Sequence, residues 1–134
     1  MEAMIGAVHR GVDVKLIVPS KTDSSLVFHA GRSHYDPLLR GGVKIYERRA
    51  ALLHAKTAVI DGVWSTVGST NLDWRSLLYN DEVNLVVLGP DFAAQMVREF
   101  KGDLARSEEM TLEDWRGRPL TDHPKEFSAR RSAR

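Results

Sequence analysis

The sequence predicts an α/β domain, a β-sheet flanked by helices. Three observations carry this. An apolar stripe at helical spacing opens the chain and is followed by Gly11 and a run dense in β-branched residues. Residues 53–88 then hold three short runs rich in Val, Ile and Thr, separated by turn-forming residues. A longer amphipathic stripe follows the last of these. Alternating helix and strand patterns of this kind build layered α/β folds. At 134 residues the chain is long enough for a core and for one domain, which we place over residues 1–115.

Each element has its own warrant. Residues 1–10 put Ala3, Met4, Ala7 and Val8 on one helical face, with Gly11 as a C-terminal stop. Residues 12–19 read as a buried strand that Pro19 ends. Residues 24–40 read as helical through Leu26, Val27, Ala30, Leu38 and Leu39. A break is expected near Asp36-Pro37, because a residue before proline resists the α region. Gly41-Gly42 closes it, and 43–46 is a short strand. Strands are expected over 53–60, 63–67 and 81–88, with a helical turn or two at 72–78. Pro90 and Asp91 start a helix whose stripe is Phe92, Met96, Val97, Phe100 and Leu104. Thr111, with Asp114 three residues on, is an N-cap for a short final turn. Residues 116–134 carry two prolines and many charges, and are expected to be a loosely ordered tail.

The chemistry gathers in residues 53–84. His54 and Lys56 lie two apart on a strand, so they point the same way. Asp61 has the opposite parity and begins Asp61-Gly62, a strong hairpin signal, so it reads first as a turn and supporting residue. Gly68 lets the backbone turn closely. Ser69 and Asn71 add small hydrogen-bonding groups near His54 and Lys56. One imidazole, one ammonium, one hydroxyl and one amide together suit a phosphate.

The pattern His54-x-Lys56-x4-Asp61-x6-Gly68-Ser69-x-Asn71 resembles the signature of the phospholipase D superfamily at every fixed position. The runs Asn71-Leu72-Asp73-Trp74-Arg75-Ser76, Asn80-Asp81-Glu82 and Arg10-Gly11-Val12-Asp13-Val14-Lys15 are similar to its cardiolipin synthase branch. That resemblance implies a mixed sheet flanked by helices and a catalytic set of His54, Lys56, Asp61 and Glu82. Lys56, Ser69 and Asn71 would bind the substrate phosphate, and Glu82 would be the carboxylate that orients the imidazole. The implied reaction passes through a phosphohistidine and turns phosphatidylglycerol into cardiolipin and glycerol. Covalent catalysis splits one hard displacement into two, and the acid of the first step becomes the base of the second. A phosphodiesterase or nuclease on the same scaffold is the alternative, as is an inactive fragment awaiting its other half.

Members of that branch resemble two such halves in one chain, preceded by membrane helices, and in them the second-half histidine serves as acid and base. This sequence holds one half, similar to the C-terminal one. Met1 begins inside the helix before Gly11-Val12-Asp13-Val14, so the sheet is expected to lack its first strand. One histidine cannot be nucleophile and acid in the same step, so a homodimer or the missing first half is the expected partner.

Composition sets bounds. The net charge of +1 gives no overall basic field, so nucleic acid is not an expected partner. With no cysteine there is no disulfide framework and no thiolate chemistry. His9, His29, His34 and His123 lack metal-ligand spacing and read as surface or loop residues; no metal and no cofactor is expected. The run Glu47-Arg48-Arg49 reads as a solvated turn before it reads as a rim for an anionic headgroup. No apolar run approaches the ~20 residues of a membrane span. The resemblance therefore places only the parent protein at the cytoplasmic face of a membrane, with this chain itself carrying no span.

Overall fold

The protein is described by a computed structural model over residues 1–20, 32–49, 53–71 and 79–118. The chain divides into two compact units, Met1–Leu52 with Arg106–Arg134, and Leu53–Ala105. The expected α/β class holds. The sheet, expected as one, is two sheets of three strands each.

In the first unit, helix α1 (Glu2–His9) leads to strand β1 (Lys15–Pro19), helix α2 (Tyr35–Arg40) and strand β2 (Lys44–Arg48). β1 pairs with β2 in parallel, Lys15 opposite Lys44. The first sheet is completed by β6 (Ser107–Met110), antiparallel to β2, with Glu47 opposite Glu108. No strand is expected over 107–110 from the sequence, because Ser107-Glu108-Glu109-Met110 has neither β-branched residues nor apolar alternation. Helix α4 (Leu112–Gly117) follows. Tyr35, Leu38, Val43, Ile45 and Trp115 form the buried core, with Met4, Ile5, Val8, Leu16, Met110 and Leu112 packed around it. Trp115 is held on three sides. Tyr35 lies 5.1 Å away ring to ring, Arg118 stands 3.2 Å over the indole and Arg32 5.4 Å from it. Like-charge rows in this sheet are neutralised by neighbours. Asp13 accepts from Lys44 at 2.8 Å and also from Lys15. Glu47 pairs with Arg32 at 3.5 Å and Glu108 with Arg49.

Three expectations change here. The helical break expected near Asp36-Pro37 falls slightly earlier, at the turn Ser33-His34. α2 begins at Tyr35, so Pro37 falls in the first turn, where a missing N–H costs no helical bond. β1 is half-buried rather than buried, because it is an edge of its sheet. The loosely ordered tail expected from residue 116 does not begin there: Arg116 and Gly117 belong to α4, and Arg118 packs on Trp115. The expected helical positions of residues 24–31 and 72–78, and the rest of the tail from 119 on, lie outside the described residues.

In the second unit β3 (Lys56–Ile60), β4 (Trp64–Gly68) and β5 (Asn84–Leu88) form an antiparallel sheet in that order. Asp61 and Gly62 turn β3 into β4, both with positive φ (52° and 65°), as a primed hairpin turn requires. Val63 N–H closes that turn on Ile60 C=O at 3.2 Å. Helix α3 (Pro90–Leu104) packs back on this sheet. Its stripe residues are half-buried, and Ala93, absent from the expected stripe, is the one fully buried.

Candidate active site

Every signature residue lies in the Leu53–Ala105 unit. The strand register decides where. Lys56 pairs with Gly68, and Gly68 pairs with Asn84. Residues 53–55, 69–71 and 81–83 therefore lie just past the ladder at the same end of the sheet. His54, Lys56, Ser69, Asn71 and Glu82 are brought together at that end. Asp61 is not. It sits in the turn at the opposite end, five residues and roughly 15 Å along the strand from Lys56. Its turn reading is the one the structure bears out.

Ser69 is the most tightly held member. Its N–H donates to Val83 C=O at 3.0 Å, and its Oγ accepts from Val83 N–H at 3.1 Å. Its hydroxyl donates to Glu82 Oε2, while Glu82 Oε1 accepts from Asn80 Nδ2 at 3.3 Å. Lys56 Nζ folds back to donate to His54 C=O at 2.8 Å, which holds the cation beside the histidine's backbone. His54 and Asn71 are exposed, and among the described residues no hydrogen bond reaches either side chain. None joins Glu82 to His54, the contact expected of an orienting carboxylate. Gly68 is required by close approach, because a Cβ there would fall 2.5 Å from Val83 C=O.

The remaining sequence candidates take structural places. The run Glu47-Arg48-Arg49 is neither the expected solvated turn nor a free rim: Glu47 and Arg48 end strand β2, Glu47 and Arg49 are held in ion pairs, and Arg48 Nη1 donates to Arg106 C=O at 3.0 Å. Among the described residues no group of three or more His, Asp or Glu side chains could hold a metal ion. No helix among them is long and apolar enough to cross a membrane. Asn80 and the Val83 backbone were missed by sequence reasoning as tethers of this end. The signal was available: alternation along 80–84 puts Asn80, Glu82 and Asn84 on one side.

What the arrangement offers is an imidazole, a fixed ammonium, an anchored hydroxyl and an amide at one open strand end. A family model described as cardiolipin synthase, phospholipase D-like domain, matches residues 1–104. Cardiolipin synthase A of Yersinia pseudotuberculosis serotype O:1b (strain IP 31758) is 42% identical over 120 residues, covering 90% of this chain and 25% of that protein. The figures are the same for cardiolipin synthase A of Yersinia pestis bv. Antiqua (strain Angola). The chain thus spans about a quarter of the length of these relatives. Among solved structures it is similar to Nuc, a phospholipase D family member from Salmonella typhimurium, with a TM-score of 0.67 and 18% identity over 82% of this chain and 72% of that one. At that identity the likeness is one of fold.

Proposed function

Because this chain belongs to the cardiolipin synthase, phospholipase D-like domain family, we propose that it supplies one catalytic half of a phosphatidyltransferase. Residues 1–115 would be that half-domain. The observation that supports this reading is the gathering of His54, Lys56, Ser69, Asn71 and Glu82 at one end of one sheet. Phosphatidylglycerol is the proposed substrate and cardiolipin plus glycerol the products, formed at a membrane surface.

In the first step a histidine nitrogen attacks phosphorus, the P–O bond to glycerol breaks, and a second histidine protonates the departing oxygen. In the second, the hydroxyl of another phosphatidylglycerol attacks the phosphohistidine, the P–N bond breaks to free the first histidine, and the hydroxyl gives its proton to the second, which that proton transfer restores to its acid form. Lys56 neutralises the phosphate oxygens, whose charge grows as the bond order changes. Ser69 and Asn71 hold them. Glu82 is the carboxylate that stabilises the charged imidazole in this scheme. Two different groups must flank phosphorus, so this chain works with a second half, either another copy across a two-fold axis or a first half in the same protein.

The test is transfer on phosphatidylglycerol vesicles, with plasmid nicking run in parallel. Cardiolipin and glycerol should appear with wild type plus its partner half, and disappear with His54→Ala. Nicking without lipid transfer would replace the transferase reading by a nuclease.

A further inference from the structure

We propose that Asn84 is a positioning residue that fixes residues 69–71 for the phosphate, an inference that rests on the phosphate-site reading above. Asn84 stands in the row Lys56, Gly68, Asn84 across three strands, so its side chain shares the face of Lys56. Gly68 has no side chain, and the Asn84 carboxamide takes that room: a Cβ on Gly68 would fall 1.9 Å from Asn84 Oδ1. From there Asn84 Nδ2 donates to Thr70 Oγ1 at 2.6 Å. Thr70 is the one residue between Ser69 and Asn71.

The segment is thus tied twice. Val83 and Glu82 hold Ser69. Asn84 holds Thr70 and, through the backbone, sets where the Asn71 carboxamide emerges. The Asn84 bond is exposed, so it adds little to the stability of the whole fold. Its consequence is local. Small displacements of groups around a reacting centre cost far more in rate than in stability.

Amide hydrogen exchange and orthovanadate binding, measured on the full chain, test this. Asn84→Ala should raise exchange at the Ser69 and Val83 amides about fivefold to tenfold, the effect of losing one net hydrogen bond. Amides along β3 and β4 should be unchanged, and orthovanadate affinity should fall by a similar factor. Thr70→Val should do the same, and the double variant should add little to either. Asn84→Asp should recover the protection, because its carboxylate accepts from the Thr70 hydroxyl. The proposal is overturned if Asn84→Ala leaves Ser69 and Val83 protected, if it loosens β3 and β4 equally, or if orthovanadate affinity is unchanged. If wild type binds no orthovanadate while the exchange pattern holds, the phosphate-site reading fails and the Asn84–Thr70 tie stands.

Discussion

Ser65 is fully buried in β4, and its hydroxyl has no hydrogen-bond partner among the described residues. A buried hydroxyl left unpaired carries an uncompensated desolvation cost. Ser65→Ala is therefore expected to be neutral, or to stabilise by about 1 kcal/mol in denaturant unfolding. A loss beyond that would mean that the hydroxyl has a partner in solution. His54 is the opposite case, exposed and without a side-chain bond among the described residues. His54→Ala should remove transfer while moving the unfolding free energy by no more than roughly 0.5 kcal/mol. A large loss of stability would make its effect on turnover uninformative and place His54 in the packing instead.

At the scale of elements, two devices are testable. Helix α4 opens with a capping box. The Thr111 Oγ1 accepts from Asp114 N–H at 3.0 Å, and Asp114 Oδ2 accepts from Thr111 N–H at 3.4 Å. This cap orients the helix that carries Trp115 into the core. Thr111→Ala should cost about 1 kcal/mol, read as a shift in the denaturant midpoint at constant slope. In the first sheet, Lys15 and Lys44 are parallel partners, and Asp13 bridges them. Those two ammonium groups hold the Asp13 carboxyl below its ordinary value, and Asp13 in turn raises the Lys44 ammonium above its own. A carboxyl with a lowered folded value stabilises above its unfolded value and loses that contribution as pH falls through the folded one. The difference in melting temperature between wild type and Asp13→Asn should accordingly be full well above the ordinary carboxyl value and shrink as pH falls through the lowered folded one. A difference that persisted in acid would show that Asp13 acts by shape and not by charge.

At the scale of the whole molecule, the single signature has a stoichiometric consequence. If the chain turns over by itself, two copies must share one phosphate, with one His54 on each side. Wild type mixed with excess His54→Ala under exchanging conditions would then lose activity faster than its own fraction falls, since mixed dimers hold one histidine. A proportional fall would show that each chain works alone and would remove the shared-site scheme.

Much of this was legible in the sequence, and for identifiable reasons. Local spacing puts Asp61-Gly62 in a primed turn, Pro90 at a helix start and Thr111 three residues before Asp114, because these are rules that hold in any fold containing them. His54, by contrast, expected on one strand with Lys56, lies just before β3 and meets Lys56 through its backbone carbonyl. The family signature is also a matter of spacing, and it led to the same α/β class that the structure has. Tertiary structure decided what depends on partners distant in sequence. Ser107-Glu108-Glu109-Met110 is a strand because β2 offers it a ladder and Arg49 neutralises Glu108, not through its own propensity. Pro37 is tolerated because a turn at Ser33-His34 lets the helix start at Tyr35, which puts the proline in its first turn. Asp61 and Glu82 are both acidic members of one motif, yet only the register of β3, β4 and β5 sends Glu82 to the end holding His54 and leaves Asp61 at the other. A sequence lists which groups are available. Strand pairing, which turns separation along the chain into adjacency in space, selects the ones that stand together at one end of a sheet.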